Sequence, residues 1–159
     1  IKEGGRVVVR TPYSASRAQV EQFLKERREW ILKNQKALRE AQKQKLSITE
    51  EMRREGVEKA MKIIPERVGH YARLMGVSYG RITIREQKTR WGNCSGKGNL
   101  NFNWKLTLMP AELLDYVVVH ELAHRREMNH SRDFWRIVGQ VLPDYQTRRR
   151  ELKEWAEKI

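Results

Sequence analysis

Three histidines within eleven residues, His120-Glu-Leu-Ala-His124 and then His130, limit this chain more than any other stretch. Side chains four apart share a face on an α-helix, so His120 and His124 can aim both imidazoles at one ion if this stretch is helical. Glu121 is rotated by about one-third of a turn from His120. It can reach a water on the ion from the side without taking a coordination place. The expectation is one Zn2+ per chain, held by His120, His124 and His130 with a fourth position open. Zinc lowers the pKa of its water to about 7, and Glu121 is the candidate catalytic base that takes the proton and hands it to the leaving group.

His130 completes the set if the chain turns back near Asn129, a residue type that tolerates left-handed backbone. Glu127 is the competitor: on an unbroken helix it faces the same way as His120 and His124 and becomes the third ligand, with His130 swinging away. His130 is favoured because imidazole suits zinc and its spacing matches three-histidine sites. Metzincins also place five residues between the second and third histidines. Their pattern has glycine where this chain has Glu127, and no methionine follows Met128 to make their methionine turn, so that comparison fails.

The helix this motif needs overrides a local preference, since Tyr116-Val-Val-Val119 alone favours a strand. Pro110 suits its first turn, and the helix is expected to reach about Met128. Elsewhere the pattern is mixed. Gly4-Gly5 and Arg6-Val-Val-Val-Arg10 read as a turn and a short strand whose partner is expected upstream of this numbering. Pro12, Ser14 and Ser16 signal one long helix to about Gln44, with Val20, Phe23, Leu24, Trp30, Ile31 and Leu38 at helical spacing. Ser47-Ile-Thr-Glu50 matches a capping box for a second helix ending near Gly76, which Pro65 should kink or interrupt. Residues 80–86 and 99–109 alternate as strands around a loop, Arg90 to Gly98. Ser131 can cap a short helix, and Pro143 begins the last. The reading is α+β, with residues 1–46 as an N-terminal strand and long helix and 47–159 as the core.

Charge narrows the partners. The net charge of +13 is uneven: residues 1–60 carry 15 Lys/Arg against 9 Asp/Glu, 61–110 carry 9 against 2, and 111–159 carry 9 of each. The 61–110 segment is therefore a candidate nucleic-acid contact. No apolar run approaches the roughly 18–20 residues of a membrane span, so no membrane partner is expected. A single cysteine, Cys94, excludes an internal disulfide and suits a cytoplasmic location. No secretory signal pattern opens at Ile1-Lys2-Glu3.

Arg90-Trp-Gly-Asn-Cys-Ser95, Asn101-Phe-Asn-Trp-Lys105, Val119-His-Glu-Leu-Ala-His124, Met128-Asn-His-Ser131 and Phe134-Trp135 together resemble the YgjP-like metal-dependent hydrolases. These are minimal zincins related to the SprT and WLM metallopeptidases. The segment from Arg6 to Ile31 and the stretch Pro143-Asp-Tyr145 with Arg148-Arg149 are also similar, so the likeness covers nearly the whole chain. It departs at Asn93, where the family usually has serine. The resemblance implies a zincin-like single domain with a small, mostly antiparallel sheet and an active-site helix. It also implies His120, His124 and His130 as zinc ligands and Glu121 as general base.

Three functions follow from these residues. The first is a zinc metallopeptidase acting on a polypeptide, with Arg90 and Trp91 lining the cleft and Asn101 and Asn103 facing a groove that holds an extended substrate. The second is a nucleoside triphosphate phosphohydrolase at the same metal, since activity on UTP is attributed to the family; Arg85, Lys88, Arg90 and Lys97 would bind its phosphates. The third is a nucleic-acid-binding module with structural zinc, although structural sites usually close with four protein ligands. Cys94 reads as a packed small side chain rather than a nucleophile or ligand.

Overall fold

The computed structural model describes residues 6–44 and 47–159; the expected Gly4-Gly5 turn lies outside them. The chain divides between residues 46 and 47 into two compact units. In the first, Ser16 Oγ accepts from the Gln19 N–H and Gln19 Oε1 accepts from the Ser16 N–H, a reciprocal cap that opens α1 (Arg17–Glu26). Arg27 then leaves helical geometry at φ −99°, ψ 7°, and α2 runs Arg28–Gln44, so the single long helix expected is two. No glycine or proline marks the break. Residues 6–10 form no strand, because nothing among the described residues pairs with them. Val7, Val8 and Val9 instead border a groove with Phe23 and Trp30.

The second unit begins with α3 (Glu50–Met75), capped by the Thr49 hydroxyl on the Met52 N–H rather than by Ser47. The helix continues through Pro65. The carbonyl that loses its partner there belongs to Met61, an exposed residue on the solvent side of the helix. Gly76 ends α3 at φ 62°, a left-handed conformation that costs a residue with a Cβ about 1–2 kcal/mol.

Three short strands follow: β1 (Ile82–Arg85), β2 (Gly92–Cys94) and β3 (Leu100–Asn103), in the order β1-β3-β2. β2 was hidden in the expected loop. Its hairpin with β3 is antiparallel, with Asn93 opposite Asn101. β1 pairs with the other edge of β3 in parallel, with Thr83 opposite Asn101. The sheet is thus evenly mixed rather than mostly antiparallel, because β3 returns between two strands that run in opposite directions.

The alternation from Asn99 to Met109 also stops early as a strand. Asn103 is 1% exposed; its amide donates to the Gln87 and Arg90 carbonyls and its Oδ1 accepts from the Lys105 N–H. That turns Trp104–Leu108 into a 3-10 helix, whose Trp104 and Leu106 enter the core beside Phe102, Ile64 and Leu113. Then come α4 (Ala111–Ala123), α5 (Arg132–Val141) and α6 (Tyr145–Lys158). Residues 113–119 of α4 are all buried, which is why its sequence resembles a buried strand. A carboxylate within this apolar run must be satisfied: Arg67 of α3 donates twice to Asp115, at 2.6 and 2.5 Å, and the Tyr71 hydroxyl adds a third bond. These bonds pin α4, and with it the histidines, to α3.

Candidate metal centre

α4 carries His120 and Glu121 on its last turn and stops at Ala123, five residues short of the expected end. Residues 124–126 make a tight turn, and two hydrogen bonds then hold the reversal. The His124 Nδ1–H donates to the Glu127 carbonyl at 3.1 Å, and the Asn129 N–H donates to Glu127 Oε1 at 3.2 Å. Glu127 is therefore spent on shaping the turn. The reversal needs no left-handed residue at Asn129, since the only positive-φ positions among the described residues are glycines. Ser131 caps α5 through the Phe134 N–H, and His130 lands beside the other two imidazoles.

The result is one cluster: ligand nitrogens of His120, His124 and His130 all lie within 4.8 Å of one another. His120 Nε2 and His130 Nε2 are 3.0 Å apart. Three nitrogens at about 2.0–2.1 Å from a tetrahedral ion sit about 3.3 Å from each other, so the spacing fits a metal. The donor chemistry fits as well. Burial, then the neighbouring His124 and His130, pushes the His120 imidazole down to about 3, and burial also lowers His124. Neutral rings offer lone pairs. With its Nδ1–H committed to a carbonyl, His124 presents Nε2.

Phe134 is the floor of this cluster. It is fully buried, and its ring centre lies 4.9, 4.6 and 4.8 Å from those of His120, His124 and His130. Trp135 stacks on His130 and on Tyr145, with the Arg149 guanidinium 4.9 Å over its ring. Tyr145 is thus a packing residue. Phe134 and Trp135 are site residues that the sequence analysis does not assign; the available signal is their place in the first turn after the Ser131 cap, directly beyond His130.

Glu121 is 5% exposed and closes one side of a cleft of about 430 Å³ that also touches the three histidines, Arg90 and Cys94. Burial lifts its carboxyl to about 8, against the pull of the Arg90 charge and a Cys94 backbone hydrogen bond. Gly92 makes room for it: a Cβ there would lie 2.8 Å from Glu121 Cγ and 2.9 Å from Oε1. Cys94 borders the cleft, but its thiol donates to the Ser95 carbonyl, and burial raises its pKa.

The expected substrate residues divide. Arg90 lines the cleft, and Trp91 lines an adjoining recess. Asn103 is locked in its turn, and Asn101 lies on the central strand, which has no free edge. β1 and β2 are the two edge strands, and it is β2 whose Gly92, Asn93 and Cys94 all border the cleft. Of Arg85, Lys88, Arg90 and Lys97, only Arg90 reaches either cavity.

The YgjP-like, metallopeptidase domain family matches residues 1–56 and 41–155. Two solved structures are similar in fold. The metallopeptidase zymogen of Pyrococcus abyssi abylysin is 24% identical with a TM-score of 0.53, over 57% of this chain and 91% of that one. The metallopeptidase zymogen of Methanocaldococcus jannaschii jannalysin is 23% identical with a TM-score of 0.52, over 62% and 99%. No curated protein matches the chain. No helix among the described residues is long and apolar enough to cross a membrane.

Proposed function

From the premise that this chain belongs to the YgjP-like metallopeptidase family, we propose that it is a zinc-dependent peptidase with Glu121 as general base. The observation that carries this reading is the gathering of three imidazoles beside a buried carboxyl at the wall of an open cleft. A zinc ion held by His120, His124 and His130 would polarise the scissile carbonyl and acidify the water beside it. Glu121 takes the proton from that water and returns it to the leaving nitrogen. An extended substrate chain pairs with the open edge of β2, which places its backbone along the cleft. A triphosphate finds less here, because the basic residues that would bind it do not converge on the cavities. The lone Cys94 is in keeping with a cytoplasmic location.

The deciding experiment incubates the zinc-loaded chain with an unfolded polypeptide and mixed nucleoside triphosphates, with a chelator-treated control, and reads products by mass spectrometry. New peptide termini that appear only with metal are expected. Nucleotide products without new termini would overturn the assignment.

Gly92 supplies a second check. Glu121 is too buried to swing out into solvent, so the methyl group of Gly92→Ala should displace its carboxyl within the site by a sizeable fraction of an ångström. Displacement on that scale costs about 100-fold in rate. Turnover should fall by about that factor while bound zinc, measured by atomic absorption, stays at the wild-type level.

A further inference from the structure

Beside the metal cleft lies a second recess of about 230 Å³. It shares Arg90, Gly92, His120 and Glu121 with the cleft, but its far walls are Trp91, Tyr116 and Leu152 rather than His124 and His130. The two cavities therefore adjoin along the Glu121 side of the reacting centre. The Arg90 side chain donates no hydrogen bond and joins no ion pair among the described residues, although it is exposed enough to do so. Glu121 is the only acidic residue in the lining. A second guanidinium, that of Arg149 on α6, lies over Trp135, and its positive charge reaches both Tyr116 and His120.

An unpaired guanidinium at the mouth of an aromatic and aliphatic recess matches a small planar anion. The walls exclude water from part of the contact and so strengthen it, and the five-donor fork of arginine pairs with a carboxylate in two parallel bonds. The volume is below the roughly 300 Å³ at which sites for drug-sized ligands begin, so it fits one amino-acid residue rather than a nucleotide. We propose that this recess is a substrate subsite for a carboxylate adjoining the scissile bond, with Arg90 as its specificity-determining residue. The carboxylate is either the C-terminus of the substrate or an Asp/Glu side chain. The proposal rests on the peptidase reading above and names its substrate class.

The test separates binding from cleavage. Zinc-loaded Glu121→Gln protein, which holds substrate without turning it over, is titrated calorimetrically with matched peptides. One pair differs only in a C-terminal acid or amide; the other is amidated and differs in an internal Glu or Gln. At least one acidic member should bind ~10-fold or more tightly than its neutral partner, and the pair that shows the difference identifies the source of the carboxylate. Adding Arg90→Ala should bring that ratio close to one, and Arg90→Lys should restore it only in part. Melting curves of each variant establish that it is folded.

Equal binding of acidic and neutral partners overturns the proposal. So does a preference that survives Arg90→Ala, because the carboxylate then sits on the ion. Binding of inorganic phosphate that depends on Arg90, with no discrimination between the peptides, also overturns it in favour of a phosphate site. If the wild-type protein cuts none of the four peptides while the Arg90-dependent ratio persists, the peptidase reading fails and the carboxylate recess stands.

Discussion

Glu121→Gln should leave zinc bound and lower hydrolysis by about 10²–10⁴-fold, the usual worth of a positioned general base. The amide keeps the shape of the side chain but cannot take a proton. Zinc content measured beside the rate separates this from loss of the site; a variant that keeps wild-type turnover would remove Glu121 from the mechanism. The same substitution has a signature in the metal-free protein. The folded carboxyl titrates at about 8, above its ordinary value of 4.5, because burial penalises the charged form. Below pH 4.5 both folded and unfolded states hold the proton, and the full stability is present. Between 4.5 and about 8 the unfolded chain releases it first, so the wild type loses about 1.4 kcal/mol per pH unit from this group. Glutamine has no such loss. The variant should therefore melt above the wild type by a margin that widens from pH 5 to 8, and a constant margin would refute the buried-carboxyl account.

His130→Ala should weaken zinc binding by more than 100-fold, because altering only the groups that orient a ligand already costs about 10–100-fold. Glu127→Ala should change it less than about tenfold. The Glu127 side chain serves the Asn129 N–H, while His124 is held by the Glu127 backbone carbonyl, which alanine retains. Competition against a chromogenic chelator measures both. The reverse ranking would mean that the helix extends through residue 127 when metal binds and that glutamate is the third ligand.

Much of the chain could be read locally. The caps at Ser16 and Ser131 and the glycine stop at Gly76 follow from hydrogen bonds within four residues, and the structure contains them. The capping residue before α3 was misplaced by two positions, since Ser47 and Thr49 offer the same hydroxyl and only the packed register of the helix chooses between them. The break at Arg27 had no sequence sign. The strand expected to Met109 ended at Asn103, because that side chain finds carbonyls of residues 87 and 90 that no local pattern brings near.

The sequence alone determined that His120 and His124 share a face, with Glu121 turned toward one side of it, because helical periodicity depends on neighbours three or four residues away. It also marked the family through motifs spread along the chain. Tertiary structure decided the rest. The helix stops at Ala123, so His130 rather than Glu127 joins the cluster. β3 is enclosed on both edges, so the edge strand that borders the cleft is β2, and the asparagines of β3 offer no free edge. Arg90 is left free beside a recess whose far wall comes from Leu152 on α6. Each of these depends on which distant segments satisfy a backbone group or fill a space, and such partners are chosen only when the chain packs.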